Sequence, residues 1–298
     1  MKLGLNLSFA TKRWLEPKAL AALIRDELQV EEIQFSWDLL NPWWPAELRD
    51  ALAAEWGQAF REAGLVLDGT FGGLASYTYP HLLAPREELR QVALDFFKRA
   101  IDMTIAMGTD SIGTPLGGMD HADAYDEKRR AEIYKRTLEL VRELASYGKK
   151  AGLKQILIEP TPLFTEFPGT PDECVQLMED LGDTDIPVLY LLDWGHALMK
   201  PFLNEEADVD IWLSKVKPYI GAFHLQQTDG LLDRHWGFTQ EGIIDVVELR
   251  DKLAEYGLDH MTQFVEIVYP FEATDEYVLD DMKKTMAYLR SRLAGGAK

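Results

Sequence analysis

Four polar residues close four apolar runs in the second half of the chain. Ile156-Leu157-Ile158 ends in Glu159, Leu189-Tyr190-Leu191-Leu192 ends in Asp193, Ile220-Gly221-Ala222-Phe223 ends in His224, and Phe264-Val265 leads into Glu266. Their separations of 34, 31 and 42 residues each correspond to about one strand-plus-helix unit, so four successive strands would deliver these side chains to one end of a sheet. Three carboxylates and an imidazole gathered there repel and raise one another's pKa unless something neutralises them, which a divalent cation does. The set is oxygen-rich, with one nitrogen and no thiolate. It suits Mn²⁺ or Mg²⁺, with Co²⁺ or Zn²⁺ allowed by ligand type. Any one of the four alone could equally cap a helix or face water; the fourfold repetition favours the metal.

Other donors cluster beside these ends. His196, in Asp193-Trp194-Gly195-His196, stands one turn beyond a proposed ligand, where it could hold a substrate oxygen. The stretch from His224 to Trp236 is a polar loop in which Arg234 reads either as a clamp for phosphate or carboxylate or as the ion-pair partner of Asp229 or Asp233. His235 and Trp236 follow it as pocket or packing residues. Trp14, Trp37, Trp43, Trp44, Phe71, Tyr77 and Tyr79 lie in or near the first three loops, where they either wall a water-excluding pocket or pack the junctions. His81 and His121 sit in later loops as possible pocket residues, and Cys174, in the helical pattern Pro171 to Leu177, reads as inert filling.

The elements that must position these residues are legible as eight apolar runs. They are Leu3 to Leu7, Glu32 to Phe35, Val66 to Phe71, Ser111 to Pro115, Gln155 to Glu159, Val188 to Asp193, Gly221 to Leu225 and Gln263 to Val268. Between them fall stretches with helical spacing, among them Pro17 to Glu27, Pro45 to Ala63, Arg86 to Met107, Tyr125 to Ala151 and Val246 to Tyr256. Several end at a glycine stop, as at Gly64, Gly108, Gly152 and Gly257. Strands alternating with crossover helices imply a parallel sheet, and eight units in 298 residues predict an α/β fold, one (β/α)8 TIM barrel spanning residues 1–298. An open doubly wound sheet would want a glycine-rich phosphate turn after the first strand, but Leu7-Ser8-Phe9-Ala10-Thr11-Lys12 has no glycine. The tail from Leu293 to Lys298 is expected to fray.

Composition sets the outer limits. Thirty-one basic against 50 acidic side chains leave a net charge of −19, a field that repels nucleic acid and anionic membranes while allowing a few local cations to hold a small anion. One cysteine permits no internal disulfide, and no run is long and apolar enough for a signal peptide or a bilayer span. A cytoplasmic protein with a small-molecule ligand is the expectation.

In Ile158-Glu159-Pro160, Leu192-Asp193-Trp194-Gly195-His196, Phe223-His224-Leu225 and Val265-Glu266-Ile267 the chain resembles the xylose isomerase-like TIM-barrel superfamily, and within it the sugar phosphate isomerase and ketose 3-epimerase branch. The resemblance implies that Glu159, Asp193, His224 and Glu266 bind one divalent metal, that Glu159 and Glu266 are the acid/base pair, and that His196 contacts substrate. The pattern departs after His224. Free-ketose 3-epimerases carry an arginine about six residues on, where this chain has Gly230, with Arg234 four residues later. Thr228-Asp229-Gly230 and Asp233-Arg234-His235-Trp236 resemble the tetrulose-phosphate racemase/epimerase group, and homo-oligomers are common in the superfamily.

The resemblance implies an epimerase or isomerase of a short ketose or ketose phosphate. One glutamate takes the proton beside the carbonyl, a cis-enediolate forms, and the other glutamate returns a proton to the opposite face. An inosose-type dehydratase could use the same groups, and a sugar-binding barrel without turnover is the non-catalytic alternative. A nuclease on this barrel would need many histidines and a cationic groove; six histidines and −19 charge oppose it.

Overall fold

The structure, a computed structural model, describes residues 1–293. Of the tail expected to fray, Leu293 closes the last helix and the remainder lies outside the described residues.

Each of the eight apolar runs forms a strand: β1 (Lys2–Asn6), β2 (Glu32–Ser36), β3 (Val66–Phe71), β4 (Ser111–Thr114), β5 (Gln155–Ile158), β6 (Val188–Asp193), β7 (Ile220–Leu225) and β8 (Thr262–Val265). Neighbours pair in sequence order and in parallel, and β8 returns to β1, closing the barrel. The register sets Asp193 opposite His224 on β6 and β7. Glu159 and Glu266 fall one residue past β5 and β8, yet their amides still donate to Thr114 O at 3.1 Å and Leu225 O at 3.0 Å. The backbone therefore fixes all four proposed ligands at the same rim.

The outer layer is helical because the intervening segments carry one apolar stripe each. The helix Glu127–Ala151 buries Ile133, Thr137, Leu140, Val141 and Leu144 at helical spacing. Its start differs from the expected Tyr125. Asp126 is extended and its carboxylate accepts the amides of Lys128 and Arg129, so it caps this helix and separates it from the short helix His121–Tyr125. Gly108 and Gly152 end their helices with φ of 92° and 101°, the left-handed region that only glycine enters without strain. The first helix, Pro17–Ala22, runs on into a wider π turn over Leu23–Leu28.

Most of the apolar core lies between strands and helices, while a small second cluster of Phe71, Leu157, Leu191 and Ala222 fills the barrel interior. This cluster is the floor on which the polar rim rests. A Cβ at Gly221 would come within 2.6 Å of Leu157, so the filling of this floor depends on glycine there. Over one side of the rim lies the short helix Leu74–Tyr77. Asp38, from the loop after β2, accepts the amides of Leu74 and Ala75 at 2.8 and 2.9 Å and so holds its start.

Candidate active site

At the C-terminal rim, Glu159, Asp193, His224 and Glu266 each offer a ligand atom, and these atoms lie within 4.8 Å of one another, all four residues buried. His224 Nδ1 stands 3.2 Å from Glu159 Oε1 and 2.8 Å from Glu266 Oε2. The same imidazole's Nε2 is 2.6 Å from Gln34 Oε1, which also accepts from Asn6 Nδ2 at 2.7 Å. An amide oxygen is only an acceptor, so Nε2 carries a proton and Nδ1 is the atom turned to the carboxylates. Phe71 supports the ring edge-on from below, centroids 4.6 Å apart.

Asp193 divides its work between its two oxygens. Oδ1 accepts the amides of Gly195 at 2.5 Å and His196 at 3.1 Å and the Gln226 side chain at 3.0 Å, the helix-capping role open to any strand-end aspartate. Oδ2 is buried and has no hydrogen-bond partner. A buried carboxylate oxygen left bare beside two other carboxylates and an imidazole is the donor a divalent cation requires, and the residues fit that group.

The two glutamates are pushed apart in acidity. Burial raises Glu159 above the usual carboxylate range against the pull of His196 and His224. Burial opposes charge on Glu266 as well, but His224 and His235 outweigh it and hold this carboxyl below its ordinary value. Ser8 Oγ adds a donor to Glu266 Oε1 at 3.3 Å. For His224, burial disfavours charge, yet Glu266 and Glu159 carry it up to about 9.

Beside this cluster the loop after β7 folds back over the rim. Asp233 Oδ2 lies 3.2 Å from His196 Nε2 and 3.0 Å from His235 Nε2, while Asp233 Oδ1 accepts from Gln226 at 2.9 Å. Gln226 Oε1 in turn takes the amide of His235. His196, Asp233 and His235, with Ser8, Phe71, Tyr77, Glu159, Arg234 and Glu266, line a cleft of about 250 Å³. Larger hollows on the outer face of the barrel lie away from the four ligands.

Residues 28–291 match the xylose isomerase-like TIM barrel family. The chain belongs to that family. It is 25% identical over 311 residues to a D-erythrulose 1-phosphate 3-epimerase of Brucella abortus, covering 100% of this chain and 98% of that one. Among solved structures it is similar to a Rhodospirillum rubrum protein provisionally named xylose isomerase, with 51% identity, a TM-score of 0.96 and coverage of 98% and 99%. A D-psicose 3-epimerase of Clostridium cellulolyticum, solved with D-tagatose, shares the fold at 17% identity, TM-score 0.75 and the same coverage.

In this xylose isomerase-like barrel the expected site residues separate into groups. Glu159, Asp193, His224, Glu266, His196 and His235 converge. Arg234 reaches the cleft wall, but its Nε and Nη2 both bind Asp229 Oδ2, at 2.9 and 2.6 Å, and its guanidinium lies 5.0 Å over Trp236. Of the early aromatics, Phe71 and Tyr77 line the cleft. Trp37 is buried against Phe96 and Phe97, Trp14 packs on Phe9, and Trp43, Trp44 and Tyr79 are exposed, so packing or surface is the role of these five. His81 is buried against Phe96 and Phe97, with Nε2 2.6 Å from Ser76 O, and His121 lies tilted against Tyr125 at the surface. Neither histidine lines the cleft. Cys174 is buried in its helix and burial pushes its thiol well up, which keeps it unreactive.

The sequence reading missed Gln34, Asn6, Ser8 and Gln226; it offered Asp233 only as one of two alternative ion-pair partners of Arg234, and that partner is Asp229. The available signals were Asn6 near the end of the first run, Ser8 directly after it, and the Asp233-x-His235 spacing in a loop already read as polar.

Proposed function

We propose that the chain is a divalent-metal-dependent epimerase of a short ketose or ketose phosphate, acting at C3, with a tetrulose phosphate as the preferred substrate. The observation that carries this is the bare Asp193 Oδ2 within the ring of Glu159, His224 and Glu266, with the two glutamates on either hand of His224 Nδ1. Relatives named as 3-epimerases support the reaction class, and the Brucella relative, matched end to end, supports the phosphorylated four-carbon ketose.

Mn²⁺ or Mg²⁺ held by Glu159, Asp193, His224 and Glu266, or Co²⁺ or Zn²⁺ in its place, would stabilise the negative charge that grows on the substrate carbonyl oxygen. The protein's own groups do the rest. Glu159 and Glu266, with unequal proton affinities, serve as acid and base at the carbon beside the carbonyl. Proton removal by one and return by the other on the opposite face inverts that carbon. Phe71 and Tyr77 exclude water, and His196, Arg234 and His235 meet the substrate's oxygens or phosphate.

The test is solvent deuterium incorporation, followed by NMR, into four- to six-carbon ketoses and their 1-phosphates, with Mn²⁺ and then with EDTA. Exchange at C3 of a tetrulose phosphate that EDTA abolishes, and that Glu159→Gln and Glu266→Gln each reduce by about a hundredfold or more, is expected. Absence of exchange with metal bound would transfer the reading to water elimination or to sugar binding without turnover.

A further inference from the structure

We propose that Asp281, on the last helix (Asp275–Leu293) and outside the cleft lining, is the positioning residue that fixes His235 in the cleft wall. The inference rests on the reading above in which His235 meets substrate, and adds the residue that holds it there.

His235 needs holding. Its φ of 47° is a costly backbone for a residue other than glycine, and such a backbone persists only where the surroundings over-determine it. Gln226 Oε1 takes its amide, and its carbonyl accepts from Val268 N at 3.2 Å, which laces the loop after β7 to the loop after β8. Both His235 and Val268 line the cleft. Trp236 then pairs with Gln227, each amide donating to the other's carbonyl at 3.1 and 2.8 Å.

Beyond that lacing both loops run onto the last helix, where Asp281 joins them. Its Oδ1 accepts from Thr239 Oγ1 in the loop after β7, and its Oδ2 accepts from the Tyr269 hydroxyl, at 2.6 Å, in the loop after β8. One helical turn on, Thr285 Oγ1 accepts the amide of Phe238 at 3.0 Å. The close approach needs a glycine. A Cβ at Gly237 would come within 2.6 Å of Asp281 Oδ2 and 2.7 Å of Thr285 Oγ1. Asp281 and Thr285 are buried. A buried carboxylate that meets hydroxyls in place of a basic side chain is a weak source of stability, because hydroxyls return only part of the hydration it gives up. Its effect is geometric. One rigid group sets the spacing of the two loops, and with it the 3.5 Å between His235 Nδ1 and Glu266 Oε2.

Hydrogen exchange of the full chain without substrate, followed by mass spectrometry, tests the holding. Asp281→Ala is expected to speed exchange by about tenfold or more in residues 233–240 and 267–271 while the barrel strands keep wild-type rates. Asp281→Asn, whose amide still meets both hydroxyls, one as acceptor and one as donor, is expected to restore them. Tyr269→Phe cuts one tie and leaves the ring packed, so the same two segments loosen to a smaller degree; it decides the matter if the alanine variant does not fold. Unaltered exchange there, or acceleration spread evenly over the chain, overturns the proposal. Action through His235 is read from turnover of the tetrulose phosphate. Asp281→Ala is expected to raise KM by about tenfold with kcat within about twofold, and to add less than about twofold in a His235→Gln background. Additive losses, or equal falls in kcat and kcat/KM, overturn the action through His235. If no tetrulose phosphate turns over, the epimerase reading fails, and exchange still decides for or against Asp281.

Discussion

Gln34 does not touch the proposed metal position, yet it decides which face His224 shows to it. Its Oε1 is the acceptor 2.6 Å from His224 Nε2, and Asn6 fixes that amide in turn. Gln34→Leu would leave the buried Nε2–H without an acceptor and free the ring to turn or to move its proton to Nδ1. Mn²⁺ affinity is expected to fall by about 10–100-fold while the fold persists, measured by calorimetric titration of metal-free protein. Unchanged affinity would mean that the ring is oriented by Phe71 and the glutamates alone. Glu159, Asp193, His224 and Glu266 were legible because a charged or imidazole side chain ending an apolar run is unusual, and four at unit spacing reinforce one another. Gln34 carried no such mark. It lies inside a strand, where a lone amide reads as ordinary alternation, and its partners are 28 and 190 residues away in sequence.

The strands were the most legible elements, since barrel strands buried on both faces appear as short continuous apolar runs, and all eight fell where expected within a residue or so at most ends. Cap-dependent features were less visible. Asp126 interrupts a helical pattern through a side-chain choice that periodicity does not register, and the Leu74–Tyr77 helix depends on Asp38 from a different loop. The aromatics after the first three strands stayed undivided between pocket and packing for a related reason, since burial against a neighbouring helix and exposure to a cleft leave the same composition. His81, in the segment that follows Tyr77, illustrates the packing role. Burial holds its imidazole neutral, with a pKa lowered to about 4 against 6.5 when unfolded. A depressed folded value means that protonation favours the unfolded chain, so its contribution is full above pH 6.5 and disappears between pH 6.5 and 4. The span corresponds to roughly 3 kcal/mol. Urea midpoints of wild type should therefore fall more steeply over that window than those of His81→Gln, which does not titrate; parallel curves would contradict a neutral buried imidazole.

At the scale of the whole molecule, barrel closure has an electrostatic cost that the proposed cation would offset. Pairing of β8 with β1 and β7 brings Glu266 beside His224, and pairing of β6 with β7 brings Asp193 there, so the last steps of closure gather like charges in a chain already at −19. In the unfolded chain these ligands are dispersed over 108 residues, from Glu159 to Glu266, and hold no ion together. Binding to the folded state alone makes metal affinity a part of folding stability. At a free Mn²⁺ concentration of about 100 times Kd the gain is about 2.7 kcal/mol, which for a chain of this size raises Tm by roughly 5 °C. Scanning calorimetry should show that rise on adding Mn²⁺ to metal-free protein and its reversal with EDTA. Asp193→Asn should abolish most of the metal-dependent part while K⁺ or Na⁺ salts at matched ionic strength do not reproduce it, because screening acts weakly on buried charges. A Tm indifferent to Mn²⁺ under conditions where dialysis shows it bound would mean that the ligands are already assembled in the unfolded chain, against the physical reason for placing them on four separate strands.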